Sequence, residues 1–90
     1  MSKEMIIPQG FFKFFSFMSN KYLKKVKDYG HTWTDCDLNF LENRLRQEMD
    51  EYRSNSDPEE LIDIANVCCM LYLRKTVNDS FNKENLKVDI

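Results

Sequence analysis

The sequence predicts an all-α domain built on three main helices. Three observations lead there. Glycine and proline are scarce, two of each in 90 residues, and all four stand where a helix would begin or end. Apolar residues recur at three- and four-residue steps in three separate segments. Strand-like alternation is rare. The length suits one domain, residues 1–90, with loose ends expected at 1–9 and 77–90.

The first helix is expected over residues 11–28. Phe11, Phe14, Phe15, Met18, Tyr22 and Val26 stack on one face, lysines gather toward the C-terminal end where the helix dipole favours them, and Gly30 supplies a stop. A loop over 29–35 carries His31 and Trp33. The second helix is expected over 35–53, with Thr34 as N-cap and an apolar stripe of Leu38, Leu41, Leu45, Met49 and Tyr52. Residues 53–57 read as a turn. The third helix has a marked start: Asp57 as N-cap, Pro58 in the first helical position and Glu60 able to close a capping box. It should run to residue 75. Between Leu61 and Leu73 only Asp63 and Asn66 interrupt an apolar run, the pattern of a helix buried on most sides. A short fourth helix or a frayed tail is expected after Thr76.

Composition excludes several classes. Lys and Arg total 13 against 15 Asp and Glu, a net charge of -2, which argues against binding a nucleic-acid polymer through bulk charge. The one basic cluster is Lys21, Lys24, Lys25 and Lys27. The apolar stretch 64–73 is short and holds Asn66, so no membrane span is expected. The phenylalanine-rich segment 11–17 is broken by Lys13 and lacks a small-residue cleavage site, unlike a secretory signal. Three cysteines, two of them adjacent, read as small hydrophobes in a reducing, cytoplasmic compartment. A chain this small cannot cover the third helix by itself. The bundle should be completed by oligomerisation, as a homodimer or homotetramer.

The acids carry the chemistry. On a wheel of about 100° per residue, Glu48 borders the apolar stripe beside Arg44 and Leu41, and Glu51 lies one turn on. Glu60 and Asp63 share a face of the third helix, and Asn66 continues that line. A short turn makes the two helices antiparallel, so the four carboxylates could converge. Such a convergence is costly unless a cation sits among the acids, and Mg²⁺ suits oxygen ligands of this kind. The alternatives stay open. Spaced acids are common on solvated helices, and Glu60 has a structural use as a cap. Asp63 is harder to explain structurally, because it breaks an apolar helix.

Glu48-x-x-Glu51 followed by Glu60-x-x-Asp63 on successive helices resembles the all-α nucleoside triphosphate pyrophosphohydrolase superfamily, and within it MazG-like proteins. LENRLRQEMDEY resembles the first metal-binding helix, EELIDIANVCCMLYL the second, and YGHTW the segment before them. The likeness covers residues 29–73. Only eight residues separate Glu51 from Glu60, fewer than the family usually shows. The resemblance implies Mg²⁺-dependent (or Mn²⁺-dependent) hydrolysis of a nucleoside triphosphate to a monophosphate and pyrophosphate. It implies Glu48, Glu51, Glu60 and Asp63 as metal ligands, with Glu48 or Glu51 acting on the water. Arg44, Lys24, Lys25, Lys27 and Arg53 are candidate phosphate partners, Asn66 a candidate ligand contact, and Trp33 and Tyr29 candidate base-stacking groups. Each has a plainer reading as solvated surface or core. A helical interaction module, or a nucleotide-binding domain without catalysis, fits the same acids.

Overall fold

The computed structural model describes residues 5–76, and within them the chain is all-helical. The helices are α1 (Gln9–Tyr29), α2 (Leu38–Asn55) and α3 (Pro58–Thr76), with a short 3-10 turn at Thr32–Thr34 between the first two. The expected fourth helix and the loose ends, apart from residues 5–9, lie outside the described residues.

Local chemistry sets the boundaries. Gly30 ends α1 at φ 64 with its N–H on the Val26 carbonyl, a left-handed conformation that glycine adopts freely. The start of α2 differs from the expectation. Thr34 belongs to the 3-10 turn, and its hydroxyl donates back to the His31 carbonyl at 2.8 Å. It lies in that turn, ahead of the first residue of α2, Leu38, and so does not reach the helix start. Asp37 caps instead, its carboxylate accepting from the Asn39 N–H at 2.8 Å. The end of α2 rests on Ser56, a non-glycine residue at φ 54.

The α2–α3 turn corrects a second expectation. Asp57 is the N-cap of α3, accepting from the Glu59 N–H at 3.0 Å. The Asp57 N–H, however, donates to the Asn55 side chain at 2.9 Å and not to Glu60. The capping box is thus not closed by Glu60, whose Oε1 instead accepts from the Asn55 side-chain amide at 3.5 Å.

The hairpin of α2 and α3 is the main packing unit, and α1 lies against α3. Leu41, Val67 and Leu71 form the buried core, with Trp33, Cys36, Leu38, Leu45 and Met70 packed on it. The Arg74 guanidinium ties the loop to α3, donating to the carbonyls of Trp33 (2.7 Å) and Cys36 (2.8 Å). Asn66 does the same for α1, donating to the Met18 carbonyl at 3.1 Å.

The third helix is less covered than its sequence predicts. Only Val67 and Leu71 on it are buried, while Cys68, Cys69 and Tyr72 are exposed. On α1 the row Phe11, Phe12, Phe14, Phe15 and Phe17 is exposed too. One neighbour on each side does not enclose a helix that is apolar nearly all round.

Ser56→Gly is expected to stabilise the domain by about 0.5–1 kcal/mol, because glycine adopts the left-handed C-cap without the strain serine bears. Denaturant melts of the two proteins check this; a loss of stability would contradict the reading of the cap.

Candidate metal centre

Three carboxylates meet where α2 and α3 run side by side. One oxygen each from Glu48, Glu60 and Asp63 lies within 4.8 Å of the others. The hairpin makes this meeting. Glu48 sits two turns before the end of α2, and Glu60 and Asp63 occupy the first two turns of α3. An antiparallel pair with a short turn brings those levels together. Octahedral Mg²⁺ holds oxygens at about 2.0–2.1 Å, hence about 2.9 Å apart for neighbouring ligands and about 4.2 Å for an opposite pair. The carboxylates must draw together by side-chain rotation to share one ion.

The cluster is unusual in its burial. Glu48 is only 8% exposed. Its near partner is Arg44, with Nε 3.6 Å from Oε1. Buried oxygens on two of the acids, Glu60 Oε2 and Asp63 Oδ1, accept no hydrogen bond. Asp63 Oδ1 has Lys25 Nζ at 3.5 Å, an ion pair without hydrogen-bonding geometry. Carboxylates normally fill such lone pairs when buried. Two acids of the cluster thus each keep one buried oxygen unfilled, and such oxygens suit a divalent cation.

Electrostatics agree. Burial pushes the Glu48 carboxyl above its usual range, and the charges of Asp63 and Glu51 add to the rise, against the pull of Arg44 and Lys25. Lys21 donates to Asp63 at 3.0 Å and to Glu59 at 3.3 Å. Burial works against its charge, but these two acids outweigh it and hold the ammonium above its ordinary value.

Beside the acids opens a cavity of about 480 Å³, within the range of small-molecule sites. Asp63, Lys25 and Arg44 line it together with the rings of Tyr29, Trp33 and Phe40.

The expected site residues divide clearly. Glu48, Glu60 and Asp63 come together. Glu51 is exposed and outside the trio, although close enough for its charge to act on Glu48. Arg44 and Asn66 line the cavity, but each also has a structural partner, Glu48 and Met18. Trp33 lines it with its indole N–H on the Tyr22 hydroxyl at 2.7 Å. Lys24 and Lys27 are exposed and do not line the cavity. Arg53 is exposed and pairs with Asp50 at 3.7 Å.

The lysine that reaches the acids most closely, Lys21, is one the motif reading passed over. The helical wheel holds the signal. At about 100° per residue, Lys21 and Lys25 fall within about 60° of Met18, on the edge of the apolar stripe. Lys24 and Lys27 fall about 120° and 180° away on the same wheel.

No protein-family model and no solved structure matches this chain. An uncharacterized protein of Archaeoglobus fulgidus is 36% identical over 81 residues, which span 79% of this chain and 87% of the archaeal one. This chain belongs to the family of that archaeal protein.

The raised Glu48 carboxyl has a measurable consequence. The folded chain keeps a proton that the unfolded chain releases, so stability falls as pH rises from the unfolded to the folded pKa. Above that window the penalty is complete. In metal-free buffer, Glu48→Gln is therefore expected to be more stable than the parent at neutral pH, by about 1 kcal/mol, or about 4–8 °C in Tm. The advantage should fade on acidification. A variant less stable than the parent at neutral pH would contradict the buried-charge account.

Proposed function

We propose that the protein is a Mg²⁺-dependent nucleoside triphosphate pyrophosphohydrolase of the MazG-like kind. It would cleave between the α- and β-phosphates, giving a nucleoside monophosphate and pyrophosphate, a reaction suited to clearing unwanted nucleotides. The observation that carries the proposal is the buried meeting of Glu48, Glu60 and Asp63, with two carboxylate oxygens lacking hydrogen bonds. A purely structural site would fill those oxygens or replace the acids with apolar side chains.

In this reading Glu48, Glu60 and Asp63 hold the divalent ion, Mg²⁺ or Mn²⁺. Bound there, the ion supplies positive charge against the phosphates and a lowered pKa for water. Glu51 is solvent-facing and one turn from Glu48, and we assign it to accept the proton that water gives up. Lys25 and Arg44 reach the cavity as cations and would stabilise charge on the phosphate oxygens. Tyr29, Trp33 and Phe40 would bind the flat face of the base. Asn66 keeps its carbonyl oxygen available, since only its amide N–H is engaged with Met18.

Assembly completes the proposal. The exposed phenylalanines of α1 and the open side of α3 support a homodimer or homotetramer. The three free cysteines suit the cytoplasm, where nucleotides are abundant and thiols stay reduced. Among the described residues no helix is long and apolar enough to cross a membrane.

Incubation of the purified protein with Mg²⁺ and a panel of nucleoside triphosphates should release pyrophosphate from at least one. No release from any member would reject the activity. Separately, Mg²⁺ or Mn²⁺ at 100-fold over Kd should stabilise the fold by about 2.7 kcal/mol, and Asp63→Ala should abolish that shift. A shift that survives in the variant would show that the ligands lie elsewhere. Light scattering at micromolar concentration should give a dimer or tetramer; a monomer would contradict the assembly.

A further inference from the structure

The metal reading gives Lys21 no role and Lys25 only a phosphate contact. Lys21 and Lys25 lie one helical turn apart, and each reaches an oxygen of Asp63: Lys21 Nζ is 3.0 Å from Oδ2 and Lys25 Nζ 3.5 Å from Oδ1. Asp63 is thus held on both oxygens by cations of another helix. The Lys21 contact is not a loose surface one. The Asp63 side chain is 14% exposed and that of Lys21 28% exposed. Lys21 is also gripped from the rim by Glu59 at 3.3 Å.

A divalent ion seated among Glu48, Glu60 and Asp63 would stand within a few ångströms of the Lys21 ammonium. A divalent ion on Oδ1 and the Lys21 ammonium on Oδ2 would repel each other across one carboxylate. We propose that Lys21 is a tethered cation that fills the carboxylate cluster until a divalent ion arrives, yields to that ion, and then, with Lys25, contacts the phosphate oxygens that the ion attracts. The inference rests on the metal-site reading and deepens it: metal entry and anion binding become one coupled event.

The physical case has three parts. Three clustered carboxylates need counter-charge in the metal-free protein, and Lys21, Lys25 and Arg44 supply it. Once displaced, Lys21 has a flexible four-carbon stem and an exposed acid, Glu59, on which to swing outward. Lys25 already lines the cavity beside Asp63. After the exchange two ammonium groups flank the ion, and a di- or triphosphate group is the ligand class with enough negative oxygens to meet all three charges. The coupling is reciprocal: whatever anion engages Lys21 holds it away from Asp63 and tightens the metal.

Calorimetric titration of the full chain with Mn²⁺, and of the Mn²⁺-loaded protein with inorganic triphosphate, tests the exchange. Lys21→Met keeps the stem and removes the charge. It is expected to bind Mn²⁺ about tenfold more tightly than the parent, because the internal competitor is gone, and to bind inorganic triphosphate about tenfold more weakly. Lys21→Gln should behave alike and guards against a folding defect peculiar to one variant. Lys21→Arg, which keeps the charge, should stay near the parent for triphosphate. Opposite movements of the two affinities are the signature, since a merely structural lysine would loosen both ligands together. If the parent binds Mn²⁺ and both neutral variants bind it equally or more weakly, the tethered-cation role is overturned and the metal site stands. Unchanged triphosphate affinity would overturn the phosphate role. If neither parent nor variants bind Mn²⁺, the metal reading fails and takes this inference with it.

Discussion

The structure turns on one buried carboxylate. Glu48 lies between the two helices of the hairpin, near Asp63 and Glu60, where little water reaches its charge. Burial and neighbouring acids push its carboxyl upward, and cations from α1 and α2 restrain it. A leucine here would extend the core formed by Leu41, Val67 and Leu71. The chain instead carries three acids at the point where α2 and α3 approach, an arrangement that leaves buried carboxylate oxygens without hydrogen bonds.

The rest of the fold serves that meeting. Asn55 takes the Asp57 N–H, so Glu60 is released from a capping task and turns to the cluster. Ser56 adopts the left-handed turn that keeps the α2–α3 connection short and the acids level. Asn66 and Lys21 draw α1 onto α3 through a backbone carbonyl and a carboxylate. The Arg74 guanidinium fastens the loop carrying Trp33, a wall of the adjoining cavity. Small polar contacts thus set the geometry, while three buried aliphatic residues supply the core. So slight a core lies beside an exposed row of phenylalanines.

Much of this was legible in the residues. The three helices follow from apolar spacing, and Gly30, Asp57 and Pro58 mark their ends as local chemistry requires. The pairing of Glu48 with Glu60 and Asp63 follows from antiparallel packing over a short turn. What escaped was decided by competition between neighbours. Thr34 looks like an N-cap, but its hydroxyl turns back to His31, and Asp37 takes the role. Glu60 looks like a capping-box residue until Asn55 is seen to occupy its donor. Cys68 and Cys69 look buried because their helix is apolar, yet burial depends on which faces other helices cover, and α1 and α2 leave theirs open. All four lysines of α1 drew notice by crowding, whereas wheel position decides that Lys21 and Lys25 reach the acids and Lys24 and Lys27 do not.

The account stands or falls on what occupies the space among Glu48, Glu60 and Asp63. Crystals grown with Mn²⁺ and measured near the manganese absorption edge answer this directly. An anomalous peak bonded to oxygens of all three carboxylates, with the Lys21 ammonium moved off Asp63, is the predicted result. Well-ordered crystals with no peak there, and Lys21 still hydrogen-bonded to Asp63, would contradict it.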